Sequence, residues 1–116
     1  MTEKSIFSRI IDGEIPSEIL YQDEICIAIN DIAPKAPVHV LVIPRKPIPR
    51  LVDAEAEDQE LLGKLMLSVG KVAKQLGVEE AFRLIVNNGA GAGQTVFHLH
   101  LHILANKNMD ESSLGF

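Results

Sequence analysis

The sequence predicts an α+β domain: an antiparallel sheet of five strands with one long and one short helix. Three observations lead there. Residues 57–76 have the length and apolar period of a helix, whereas the other apolar runs are short and β-branched. The connections between the second and third strands and between the fourth and fifth are too short for helical crossovers, so those neighbours run antiparallel. No internal repeat, low-complexity tract or Ser/Gly linker divides the chain, so residues 1–116 are expected to be one domain.

The first element is a short helix over 5–11. Ser5 stands as N-cap, Ile6, Phe7, Ile10 and Ile11 follow at helical spacing, and Gly13 lies beyond the end. Residues 18–22 and 25–30 read as two short strands joined at Gln22-Asp23-Glu24. Asp31 to Pro37 holds two prolines and must be a loop. Residues 39–43 form a β-branched, apolar strand stopped by Pro44. In the long helix, Leu61, Leu62, Leu65, Val69, Val72, Ala73 and Leu76 recur at three- and four-residue steps. Asp53, Glu55, Glu57, Asp58 and Glu60 crowd its entrance and Lys71 and Lys74 its exit, which suits the helix dipole. Gly77 supplies the stop. A strand over 82–87, a glycine-rich loop over 88–94 and a last strand over 96–104 complete the order.

Composition narrows the function. With 47% hydrophobic and 23% charged residues, the chain has the material for a core and is not disordered. Sixteen acids against eleven bases give a net charge of −5, which argues against nucleic-acid or anionic-membrane binding, where a basic face is the usual footprint. A single cysteine, Cys26 in an apolar run, reads as a small buried hydrophobe. The first nine residues lack the apolar core of a signal peptide, and no stretch approaches the ~20 apolar residues that span a bilayer. A cytoplasmic location is the expectation.

The chemistry concentrates in Thr95-Val96-Phe97-His98-Leu99-His100-Leu101-His102-Ile103-Leu104. Strand side chains alternate, so His98, His100 and His102 line one face and Leu99, Leu101 and Ile103 the other. One such histidine is an ordinary structural residue; three in strict alternation are not something a core requests. Successive histidines in a regular strand stand about 6.7 Å apart at Cα. A metal would need three or four convergent ligands, with His39 as the third and neither cysteine nor an obvious carboxylate alongside. Nucleophilic catalysis needs only what is there: a neutral imidazole attacks phosphorus, and a neighbouring imidazolium beside the bound phosphate protonates the leaving group. No metal and no cofactor are therefore assigned. The preceding run, Asn87-Asn88-Gly89-Ala90-Gly91-Ala92-Gly93-Gln94-Thr95, alone reads as a hairpin loop; beside three histidines it reads as an anion cradle.

The run His98-Leu99-His100-Leu101-His102-Ile103-Leu104 resembles the signature of the histidine-triad (HIT) superfamily of nucleotide hydrolases and transferases. Gly93-Gln94-Thr95-Val96, Asp31 through His39 with Val42-Ile43-Pro44, and Ile6 through Ile11 are similar to its Hint branch, so the likeness runs from about residue 6 to 104. That resemblance implies a HIT-like fold and hydrolysis of purine nucleoside 5′-phosphoramidates to an AMP-type monophosphate and an amine, as in an adenosine 5′-monophosphoramidase. His100 would be the nucleophile that becomes nucleotidylated, His102 would contact phosphate and leaving group, and His98 and His39 would complete the histidine network. Thr95, Gly93 and Gln94 would bind the α-phosphate, with Asn87 beside phosphate and ribose. Asp31 would accept the ribose hydroxyls, while Ile6, Phe7, Ile10 and Ile32 would wall the base. Read alone, Asp31 is an Asx-turn residue and the apolar residues are core.

A homodimer joining two sheets, with the long helix at the interface, is implied in the same way. The tail departs from the Hint pattern: many Hint proteins end in a Trp-Pro-Pro segment, and this chain contains no tryptophan. Two other activities remain open: dinucleoside polyphosphate hydrolysis or nucleotidyl transfer, and nucleotide binding with little turnover.

Overall fold

A computed structural model describes residues 4–113; expectations for the first three residues and for Leu114 to Phe116 lie outside the described residues. Helix α1 spans Ile6–Ile11 and α2 Gln59–Gln75; the strands are β1 Tyr21–Gln22, β2 Cys26–Asn30, β3 Val38–Pro44, β4 Phe82–Ile85 and β5 Leu101–Ala105. The sheet order is β1-β2-β3-β5-β4 and every pairing is antiparallel, so the last strand is inserted between β3 and β4. No helix among the described residues is long and apolar enough to cross a membrane.

The continuous apolar run of β3 is explained by cover on both faces. From His39 to Pro44 every residue is buried. Val40 and Val42 face α2, packed with Leu65, Val69, Val72, Leu99, Leu101 and Ile103. Leu41 and Ile43 face the other way, with Ile27, Ile29 and Phe7 of α1. A strand coated on one side would have alternated with polar residues. The long helix packs by the predicted stripe and leaves Met66 and Leu67 outside.

Specific side chains set the helix ends. Ser5 caps α1, its hydroxyl accepting the Ser8 N–H at 3.0 Å. Of the acids at the entrance of α2, Asp58 has a defined task. It accepts the Glu55 N–H in a capping box and meets Lys46 Nζ at 2.5 Å, almost wholly buried. Gly77, at φ 73°, ends α2 in the left-handed region. Across the β1–β2 turn, Asp23 accepts the N–H groups of Ile25 and Cys26 and the hydroxyls of Tyr21 and Ser68, tying the hairpin to α2. Burial pushes its carboxyl up, but those four bonds outweigh it and hold the group well below the usual carboxylate range.

Four strands are shorter than predicted, β2 by one residue only. β1 has two residues, β4 stops at Ile85, and β5 begins at Leu101 instead of Val96. The late start of β5 has a physical cause. Its partner β3 ends at Pro44, whose carbonyl is taken by a side chain, Nε2 of His98 at 2.7 Å. Pro47 and Pro49 follow without N–H groups, and the Leu99 N–H turns to the Ile48 carbonyl at 2.7 Å.

Leu65 is 1% exposed and Leu67 70%. Leu65→Ala should cost about 2–5 kcal/mol in urea unfolding, against at most about 0.5 kcal/mol for Leu67→Ala. Equal losses would contradict the packing of α2 described here.

Candidate active site

Sheet register brings the histidines together. His102 lies opposite Leu41 and His39 opposite Leu104, so His39 and His102 are diagonal neighbours on the α1 face of β3 and β5. His98 and His100 precede β5 in irregular backbone, yet the alternation persists: Leu99, Leu101 and Ile103 stay under α2. The edge of Phe7 packs on His98 and His100, with ring centroids 6.0 and 4.9 Å away. His100 and His102 are 5.0 Å apart, and His102 and His39 5.1 Å. Four imidazoles form one row.

Their protons follow from their partners. A carbonyl only accepts, so Nδ1 of His100, 2.8 Å from the His98 carbonyl oxygen, carries the hydrogen and Nε2 keeps a lone pair. Likewise Nε2 of His98 donates to the Pro44 carbonyl, and its Nδ1 accepts from the Ser5 hydroxyl at 2.8 Å, with Ser8 Oγ at 3.2 Å. The Lys35 N–H donates to Nδ1 of His39 at 3.0 Å, which puts that ring's proton on Nε2. Nε2 of His39 therefore donates to Nδ1 of His102 at 2.9 Å, and the proton of His102 resides on Nε2. That nitrogen is buried and has no hydrogen-bond partner among the described residues. The row thus offers a free lone pair on His100 beside an uncommitted N–H on His102.

Asp31, His39 and His102 bring one ligand atom each within 4.8 Å of one another, so the carboxylate not foreseen beside His39 is present. The trio suits a proton better than an ion. With Nδ1 of His39 occupied by the Lys35 N–H, its Nε2 bears hydrogen where a metal would need a lone pair. Asp31 Oδ2 lies 3.5 Å from that Nε2, while Oδ1 accepts the Ala33 N–H at 2.7 Å. Asp31 is thus an Asx-turn residue and a neighbour of the histidine row at once.

Other expected site residues divide. His98 is wholly buried with both ring nitrogens committed, which removes it from contact with a substrate and makes it a support. The Gln94 side chain is also withdrawn: it accepts the Gly89 N–H and donates to the carbonyls of Pro49 and Val96. The main-chain N–H groups of Ala92, Gly93 and Gln94 bond within the loop, to Gly89 and Ala90. The expected cradle is therefore a self-bonded turn, with Gly89 and Gly93 at positive φ. Gln94 and Gly93 shape it; Thr95 remains exposed at its end, and Asn87 lies against Gly93. Phe7 and Ile10 belong to the core beneath the histidines. Ile6 is half-exposed and lines a groove with Thr95, Phe97, Pro47 and Pro49, while Ile32 stands wholly in solvent.

Sequence reading missed the partners that set the tautomers: Ser5, Ser8, the Pro44 carbonyl and the Lys35 amide. Only Ser5 carried a signal, as a helix cap. Burial lowers the pKa of His39, of His98 and most of all of His102, down to about 4, where the neighbouring His100 and His39 add to the effect. Unfolded histidine titrates near 6.5. Between these values the unfolded chain binds more protons, so the stability these rings contribute is complete above about pH 6.5 and is lost as pH falls toward about 4. Urea midpoints should drop through that window, and less so in His102→Gln. A flat profile between pH 7 and 4.5 would contradict neutral buried rings.

Comparison with known proteins agrees with this geometry. The HIT domain family matches residues 12–109. An uncharacterized HIT-like protein of Synechocystis is 56% identical over 107 residues, covering 92% of this chain and 94% of the relative. The purine nucleoside phosphoramidase of Escherichia coli is 44% identical over 108 residues, covering 92% and 91%. A solved HIT family hydrolase from Clostridium thermocellum superposes with a TM-score of 0.88 at 45% identity, over 95% of this chain and 96% of that one. With its imidazole row, its sheet order and these relatives, the chain belongs to the HIT domain family.

Proposed function

We propose that the protein hydrolyses nucleoside 5′-phosphoramidates, of purines first, through a nucleotidyl-His100 intermediate. One observation carries the reading: among the described residues, the free Nε2 lone pair of His100 stands beside the unpartnered Nε2–H of His102. The name of the Escherichia coli relative supports the choice of a P–N bond.

The chemistry runs in two displacements. The substrate's phosphoryl anion offsets the burial that keeps His102 neutral, so the ring takes up a proton on binding. Nδ1 then no longer accepts from His39, whose Nε2–H turns to Asp31 Oδ2, 3.5 Å away. His100 Nε2 attacks the α-phosphorus, the P–N bond breaks, and the amine nitrogen takes the electron pair together with the proton of His102. Without that proton an amide anion would have to leave. Throughout, His100 Nδ1–H stays on the His98 carbonyl, which stabilises the positive charge formed on nucleotidylation. Water next attacks phosphorus and gives its proton to neutral His102, and His100 departs as a neutral imidazole.

Thr95 and Asn87 serve the phosphate, Asp31 Oδ2 the ribose, and Ile6 and Ile32 the base side, with Phe7 and Ile10 in the core beneath the histidines. A dimer belongs to the same proposal. It is supported by the edge of β4, which among the described residues pairs only with β5, and by Met66 and Leu67 exposed on α2.

His100→Ala should abolish turnover of adenosine 5′-phosphoramidate, and denaturing mass spectrometry after a brief reaction should find a nucleotide on His100 of the wild type. Faster cleavage of a diadenosine polyphosphate would move the assignment to P–O bonds, and AMP binding without turnover of either substrate would end it. Sedimentation equilibrium should give twice the chain mass of 12.7 kDa; a monomer at micromolar concentration would remove the dimer.

A further inference from the structure

We infer that Ser5 is a positioning residue for the nucleophile: its hydroxyl pins the His98 ring in place and, through the His98 main chain, sets the direction of the His100 lone pair. The kinetic part of this inference rests on the hydrolase reading above; the structural part does not.

Ser5 Oγ makes two bonds of opposite sense. It accepts the Ser8 N–H at 3.0 Å, closing the first turn of α1, and its own hydrogen goes to Nδ1 of His98 at 2.8 Å. Nδ1 is an acceptor because the other nitrogen of that ring donates to the Pro44 carbonyl at 2.7 Å. The ring, wholly buried, is therefore pinned at both ends, between α1 and the end of β3. The peptide carbonyl of the same residue receives Nδ1–H of His100 at 2.8 Å. If His98 rotates, that carbonyl moves, and the nucleophile loses the partner that holds its Nδ1–H and so aims its Nε2 lone pair. Phe7, on the turn of α1 that Ser5 caps, packs against both rings. Ser8 Oγ, 3.2 Å from the same Nδ1, is the longer and secondary contact. No other side chain among the described residues donates to that nitrogen.

Capping and donation are separable by substitution. Threonine caps a helix and donates a hydrogen, aspartate caps but has no hydrogen to give, and alanine does neither. The series Ser5→Ala, Ser5→Thr, Ser5→Asp and the double variant Ser5→Ala/Ser8→Ala would be followed by melting temperature, by kinetics on adenosine 5′-phosphoramidate, and by long-range ¹H–¹⁵N NMR of the imidazole tautomers. In the double variant kcat should fall roughly ten- to a hundredfold, the scale of a misplaced reacting group, with little change in KM. His98 should keep its Nε2–H on the Pro44 carbonyl, while the His100 ring leaves the pure Nδ1–H form. Ser5→Thr should keep kcat, whereas Ser5→Asp should recover the melting temperature without recovering kcat. The inference is overturned if kcat simply follows melting temperature along the series, or if the double variant retains wild-type kcat. Should the wild type not turn over the phosphoramidate, the hydrolase reading is what fails. The NMR then decides alone: an unchanged Nδ1–H on His100 in the double variant overturns the positioning role, and its loss upholds it.

Discussion

Burial drives six of the eight ring nitrogens in the row onto hydrogen-bond partners among the described residues, and the rest of the site depends on that constraint. A buried ring with an unpaired nitrogen costs roughly 1–3 kcal/mol, so the fold supplies fixed donors and acceptors. Main-chain carbonyls of Pro44 and His98, the Lys35 amide and the Ser5 hydroxyl have one sense of hydrogen bonding available to them in this arrangement. They dictate which nitrogen of each ring bears hydrogen. The outcome is asymmetric: His98 and His39 are fully engaged, and what remains free is a lone pair on one neighbour and a proton on the other. Reactivity here is the residue left after satisfaction.

Electrostatics works in the same direction. Burial lowers the pKa of His102 to about 4, so the ring is neutral in the free protein. Asp31 opposes that shift from one side, and an arriving phosphate would oppose it from the other. The ring that cannot hold a charge alone would then hold one only when an anion is bound. Proton supply would in this way be coupled to occupancy.

Much of this was legible in the sequence because it depends on local periodicity. The α2 stripe from Leu61 to Leu76, the cap at Ser5 and the alternation of histidine with leucine are patterns within ten or twenty residues, and each recurs in the fold. What the sequence concealed are partnerships across the chain. Asp31 beside His39 and His102, and Ser5 beside His98, depend on strand order and on the seating of α1. The internal bonding of the Gly-rich loop was concealed for a similar reason. Glycine permits a nest, but whether N–H groups face outward depends on where the Gln94 side chain goes, and it goes inward. The late start of β5 at Leu101 was hidden because Pro44, where the neighbouring strand stops, belongs to a different segment.

Residues 99 to 103 serve two masters, since their odd-numbered members seal the interior beneath α2 and their even-numbered members present the imidazoles. Spacing in this stretch is consequently as constrained as residue identity. A one-residue insertion between His98 and His102 would turn the segment inside out on one side of the lesion, sending rings into oil and leucines toward the nucleotide. Length changes can accumulate in the outer loops, but this short segment has no room to drift.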